Sequence, residues 1–220
     1  MTPPDPRASN APATRDQVSI TPQRSLTKRG TARLASIVDS AATLFDTVGY
    51  AQTTMDQIAE FNGIGKGTLY HYFRHKTEIL YEIHLNVFVP QLESALARAN
   101  EDLPATEELR LLLVEALQLF ATHPHHMRVI AEHHREFGDE HRQMVNRDRA
   151  LYRDVVHAAV ARGLGDDELG RHDAEMATMS FLGVLNWSMM WYRPEGRLSA
   201  HQTAEALWAC VFHGLAPRRQ

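Results

Sequence analysis

The spacing of its apolar residues constrains this chain most. Leu34, Ile37, Val38, Ala41, Leu44, Phe45 and Val48 fall at spacings of three and four, which lays one apolar stripe along a helix. That helix opens near Lys28, and Gly49, free to take a positive φ, ends it. A short helix over Met55 to Phe61 follows, with Thr54 as its cap, Asp56 in its first turn, and Ile58 and Ala59 turned inward. Gly63 stops it, and a second short helix runs from about Gly65 to Phe73. A long helix spans Lys76 to about Asn100, with Pro90 expected to kink or break it. Helices then run from Thr106 to Ala121, from His123-Pro124 to a break around Phe137 and Gly138, and on to an end near Gly163. A further helix covers Asp167 to Trp191, closed by Pro194 and Gly196. Ser199 caps the last, whose stripe is Ala204, Leu207, Trp208, Val211, Phe212 and Leu215. No segment carries a strand period and no unit repeats, so the expected fold is all-α with about nine helices. Residues 1–26, rich in Pro, Ser, Thr, Ala and Asn without an apolar period, are expected to be an unstructured arm.

Composition narrows the classes. Cys210 is the one cysteine, which excludes an intrachain disulfide and multi-cysteine zinc sites and fits a reducing, cytoplasmic setting. The N-terminus has acids and prolines and no apolar run, unlike a secretory signal. The most apolar stretch, Met179 to Tyr192, is interrupted by Ser180, Asn186 and Ser188 and is too short to span a bilayer, so no membrane partner is expected. The net charge of −4 argues against nucleic acid until its distribution is read. Residues 1–80 carry +2 and residues 81–220 carry −6. No acid lies between Asp16 and Asp39, whereas Arg24, Lys28, Arg29 and Arg33 do. A basic segment on an acidic chain is the electrostatic mark of a DNA-contacting end, although a solvated tail gives the same pattern.

Two short helices joined by a tight glycine turn make the helix-turn-helix pattern. The string Thr53-Thr54-Met55-Asp56-Gln57-Ile58-Ala59, then Gly63-Ile64-Gly65-Lys66-Gly67-Thr68-Leu69-Tyr70-His71-Tyr72-Phe73 and Lys76-Thr77-Glu78, resembles the signature of TetR-family transcriptional regulators over about residues 31–91. Gly65 departs from it, since a serine is frequent there as the cap of the recognition helix; a glycine cap costs only a few tenths of a kcal/mol. In a helix lying in the major groove, Gly65 and Gly67 allow close approach, Lys66 reaches guanine O6/N7 or a phosphate, and Thr68 donates to a phosphate. Tyr70, His71 and Tyr72 offer flat, polar-tipped rings for backbone and thymine-methyl contact, with core packing the competing role for Tyr72; Leu69 and Phe73 turn inward. The resemblance further implies that Thr54 and Lys76 bind phosphate, that Lys28, Arg29 and Arg33 flank the DNA backbone, and that Arg24 enters a minor groove. It places a DNA-binding domain over residues 27–75.

Residues 76–220 would then form an effector-binding and dimerisation domain. The resemblance implies a homodimer joined through its last two long helices, reading a near-palindromic double-stranded operator with half-sites about 34–36 Å apart. Ala174, Ala177, Ser180 and Gly183 would allow close helix approach at that seam. Phe88, Leu117, Phe120, Met127, Trp187, Met190 and Trp191 are candidates to line an effector pocket, each with ordinary core packing as the competing role. The segment from Asn186 to Gly196 resembles regulators of fatty-acid, steroid and aromatic-acid catabolism. That resemblance suggests a coenzyme A thioester as effector, with Arg193 or a neighbouring arginine on its phosphate; a drug or another hydrophobic molecule is the alternative.

His123, His125, His126, His133, His134 and His141 crowd one region beside Glu132 and Glu136. Lacking an HExxH pattern or a nearby cysteine, they are read as solvated or pocket-lining rather than metal-binding. With no nucleophile elbow, phosphate loop or paired-carboxylate motif, neither an enzyme nor a cofactor is expected. A helical interaction protein without DNA binding leaves the Gly-Lys-Gly-Thr-Leu-Tyr run unexplained.

Overall fold

Caps and glycines divide the chain much as the apolar period predicts. The computed structural model describes residues 27–213; the arm over 1–26, including Arg24, and Leu215 lie outside them. Nine helices are found among the described residues: α1 Lys28–Thr47, α2 Met55–Phe61, α3 Lys66–Tyr72, α4 Lys76–Arg98, α5 Ala105–Thr122, α6 Pro124–Glu132, α7 Asp139–Gly165, α8 Ala174–Trp191 and α9 Ala200–His213. The Thr27 hydroxyl accepts from the Gly30 amide at 3.2 Å to start α1, and Gly49, at φ 98°, turns the chain beyond its end. Ser199 and Gln202 exchange a capping pair at the start of α9.

Pro90 does not break its helix, and α8 starts later than expected. α4 continues through Pro90 without ending. α8 begins at Ala174, not Asp167, because Asp173 caps it by accepting from the Met176 amide at 2.9 Å. Asp167 instead takes a left-handed turn at φ 61°, which aims Glu168 at the start of α5. Its carboxylate accepts from the amides of Ala105 and Thr106 and from the Thr106 hydroxyl. Those bonds, the Thr106 amide first, hold the Glu168 carboxyl below its ordinary value.

α1 packs on α4 and α6, and α2 packs between α1 and α3. Behind them α4 lies on α6 and α7, while α5 lies on α7 and α9. Ile37, Val38, Ala41, Phe45, Ile58, Leu69 and Phe73 carry the first three helices into the common core. Burial of each large apolar chain contributes about 1.5–3 kcal/mol, so Leu69 and Phe73 are what fix the small α3 in place. No helix among the described residues is long and apolar enough to cross a membrane.

Candidate functional site

The turn between α2 and α3 is fixed from both sides. Thr54 and Gln57 form a full capping box: the Thr54 hydroxyl accepts from the Gln57 amide at 3.2 Å, and the Gln57 side-chain oxygen accepts from the Thr54 amide at 2.8 Å. Gly63, at φ 60°, supplies the left-handed step that ends α2. Asn62 locks that turn to α1. Its Oδ1 accepts from the hydroxyls of Ser36 and Ser40, and its Nδ2 donates to the Ile58 carbonyl at 2.8 Å. Sequence reasoning missed Asn62, because its partners lie on another helix.

With Leu69 and Phe73 inward, α3 presents Lys66, Gly67, Thr68, Tyr70 and His71 to solvent. Tyr72 is half-buried against the core and meets His71 edge-on at 5.7 Å. A Cβ built on Gly65 or Gly67 meets nothing within 4 Å, and neither has a positive φ. Alanine at Gly67 would favour the helix, so the fold has no internal use for glycine there. Lys66 pairs with Asp56 across the motif at 2.5 Å, and that bond raises its pKa, though both side chains are more than half exposed. Lys28 and Arg29 are exposed and Arg33 is half-buried on the first turns of α1.

Lys76 is held against the loop between α1 and α2. Its ammonium donates to the carbonyls of Tyr50 at 2.6 Å, Thr53 at 2.7 Å and Ala51 at 3.4 Å, and sits 4.6 Å from the centre of the Tyr50 ring. An ammonium has three donors, and all three are spent on the loop between α1 and α2. Burial pulls the Lys76 pKa down and outweighs the pull of Glu136 upward. Lys76 thereby positions the loop that carries the Thr54 cap.

A cavity of about 520 Å³ lies among α4, α5, α6, α7 and α8. Phe88, Phe120, Met127, Trp187 and Met190 line it. Three other expected lining residues do not. Leu117 is fully buried in the core, while Trp191 and Arg193 border a separate shallow depression shared with Leu207 and Cys210. In their place the wall includes Gln91, His134, Arg149, Tyr152 and Arg153. Burial drives the Tyr152 hydroxyl well above its ordinary pKa, keeping it neutral. Beside Phe88, His84 stacks at 5.0 Å and binds Asp148 at 3.0 Å with both side chains fully buried. Burial lowers the His84 pKa more than Asp148 raises it.

The crowded histidines of α6 join this cavity to α1. Met127, Ile130 and Ala131 line the cavity, while His125, His126 and Arg128 reach α1. Arg128 binds Asp46 at 2.6 Å, His125 binds the same carboxylate at 2.5 Å, and His126 meets Asp39 at 3.0 Å. Burial pushes the Asp46 carboxyl up, but Arg128 and His125 together hold it below its ordinary value.

α8 and α9 leave an apolar face uncovered. Met176, Met179, Trp187, Met190, Trp191, Val211 and Phe212 are exposed. Ser180 and Gly183 are exposed among them, and Ala174 and Ala177 are half-buried.

Comparison with known proteins agrees with this geometry. A family model described as the C-terminal domain of tetracyclin-repressor-like proteins matches residues 102–215, and one described as bacterial regulatory proteins of the tetR family matches residues 37–83. The HTH-type transcriptional repressor KstR2 of Mycobacterium tuberculosis strain H37Rv is 27% identical over 201 residues, covering 84% of this chain and 93% of the relative. The TetR-family regulator PfmR of Thermus thermophilus superposes with a TM-score of 0.77 at 27% identity, over 82% of this chain and 99% of its own. AibR, solved with isovaleryl coenzyme A and operator DNA, superposes with a TM-score of 0.74 at 25% identity, over 82% of this chain and 98% of its own.

Proposed function

The chain belongs to the TetR family of bacterial regulatory proteins, and on that premise we propose that it is a DNA-binding repressor released from its operator by a small acyl-CoA-type effector. One observation carries the DNA reading: α3 offers an exposed face of Lys66, Gly67, Thr68, Tyr70 and His71 whose glycine serves no purpose inside the fold. Residues 27–75 bind the DNA. Gly65 and Gly67 let the α3 backbone approach the groove floor, Lys66 and Tyr70 reach base edges or phosphate, and Lys28, Arg29 and Arg33 meet the flanking backbone. Residues 76–220 bind the effector and a second copy of the chain. The uncovered apolar face of α8 and α9 supports a homodimer that spaces two α3 helices about one DNA turn apart, roughly 34–36 Å.

The relatives support the direction and the ligand class. KstR2 is a repressor, and AibR binds both isovaleryl coenzyme A and operator DNA. The cavity volume lies within the range of about 300–1,000 Å³ usual for small-molecule sites. The effector acts by population shift, binding more tightly to the state whose α3 helices are wrongly spaced. α6 is suited to carry that shift, since one side of it lines the cavity and the other holds Asp39 and Asp46 of α1. The test is fluorescence anisotropy on DNA upstream of the protein's own gene, with and without a series of acyl-CoAs. Tight binding released by one thioester is expected. Binding indifferent to every thioester removes the effector class and leaves the DNA reading standing.

A further inference from the structure

The cavity holds a cation without a counter-ion. Arg98, Arg110, Arg128 and Arg162 each bind a glutamate or aspartate, and the first three have their pKa raised by it. Of the half-buried arginines from α4 onward among the described residues, Arg149 stands apart. It forms no ion pair, and its one hydrogen bond is from Nη2 to the Ile130 carbonyl at 3.1 Å. Its pKa is lowered, with burial the cause. Asp148, its neighbour in sequence, is committed to His84. The cavity wall carries Gln91, His134, Arg153 and Asn186 beside its apolar residues, and no aspartate or glutamate among the described residues.

A second charge deepens the imbalance. Arg153 is one helical turn further along α7 and borders the same cavity, so two like charges stand at i and i+4 on one face. Arg153 is half exposed and has Asp154 at 3.1 Å, whereas Arg149 has neither solvent access of that order nor an acid. Such an arrangement is unfavourable in the empty protein, because a desolvated cation costs free energy until it is paired. The bond to Ile130 holds the guanidinium in one orientation and leaves its Nε and Nη1 donors for an incoming oxygen.

We propose that the cavity selects anionic amphiphiles, Arg149 binding a carboxylate or phosphate oxygen of the ligand at the inner wall while Arg153 faces the same anion from the side nearer solvent. The inference rests on the reading of this cavity as the effector site and adds to it the residues that hold the effector's anionic group. Two sources present the required oxygens: a free organic acid, or the phosphates of a coenzyme A thioester. Neutral hydrophobic molecules of the same shape are rejected, since they leave Arg149 desolvated and unpaired.

The experiment uses the full chain and two carbon skeletons, dodecanoyl and 2-naphthylacetyl, each as free acid, coenzyme A thioester and neutral amide. Binding is measured by calorimetry on the wild type, Arg149→Gln and Arg149→Lys. For at least one skeleton an anionic form is expected to bind about 10- to 100-fold tighter than the amide. Arg149→Gln is expected to abolish that preference, and Arg149→Lys, which keeps the charge, to retain part of it. Preference for the acid identifies a carboxylate ligand, and preference for the thioester identifies the phosphate source. Amide binding as tight as both anionic forms overturns the anion inference and leaves the effector site intact. Failure of all six compounds to bind overturns the effector reading, and the inference with it. A wild-type preference that survives in Arg149→Gln also overturns it, since the anion is then read elsewhere.

Discussion

Replacing Gly67 with alanine should make the protein more stable and a worse DNA binder. Gly67 is the second residue of α3, is exposed, lacks a positive φ, and has no atom within 4 Å of where a Cβ would stand. Alanine therefore meets no clash, and it restricts the unfolded chain. Glycine in a helix costs about 0.5–1 kcal/mol relative to alanine, and the lower figure applies in a first turn. For a protein of this size, 1 kcal/mol shifts Tm by about 2–4 °C, so Gly67→Ala should raise Tm by about 1–2 °C. Against the groove floor the added methyl has nowhere to go. Overpacking of this kind costs about 1–3 kcal/mol, and each 1.4 kcal/mol is a tenfold loss, so operator affinity should fall at least severalfold. Thermal melts and fluorescence anisotropy on the operator duplex read the two effects separately. Unchanged affinity refutes the claim that the α3 backbone approaches DNA at this point. A rise in both quantities means that helix order, not contact, limits binding.

Lys66→Ala should leave Tm unchanged, because its pair with Asp56 is exposed, while weakening operator binding and lowering the slope of log K against log salt by about one; an unaltered slope removes Lys66 from the DNA. Asp46→Ala leaves Arg128 and His125 without their carboxylate, which should cost roughly 2 kcal/mol and lower Tm by about 4–8 °C; a loss under about 1 °C shows that the link between α1 and α6 contributes nothing. His126 has its pKa lowered by burial first, then by His123 and His125, against Asp39. Its stabilising effect is therefore complete above the unfolded value of 6.5 and is lost as pH falls below it, because the unfolded chain takes up the proton first. Melts should show Tm falling from about pH 7 to about pH 5.5 with a shallower fall in His126→Gln, and equal slopes refute the assignment. Met179→Arg puts a charge on the exposed face of α8, away from the cavity lining, and light scattering should find a monomer of native helicity; an intact dimer moves the interface elsewhere.

How far the sequence could be read depended on how far apart the partners lie along it. The cap at Thr54, the glycine stops at Gly49 and Gly63, and the inward turn of Leu69 and Phe73 are local, and each was legible. The start of α8 was not. Asp167 and Glu168 look like the acidic first turn of a helix, but Glu168 is spent on the amides of α5, more than sixty residues away. The role of Lys76 in the loop was hidden for the same reason, since nothing nearby in sequence says that three carbonyls before α2 will surround it. The aromatic half of the cavity followed from apolar residues on the middle helices, whereas Leu117 is equally apolar and simply packs. Arg149 looks ordinary in the polar sequence of α7; what sets it apart is a missing carboxylate, which only three dimensions reveal.

Selection of bound duplexes from a randomised DNA library shows whether a dimer of this chain reads a specific operator through α3. Enrichment of one near-palindromic sequence with half-sites about one helical turn apart is expected, and its loss in the Lys66→Ala Tyr70→Ala double variant. Recovery of unrelated sequences, all bound with equal affinity at physiological salt, would contradict it.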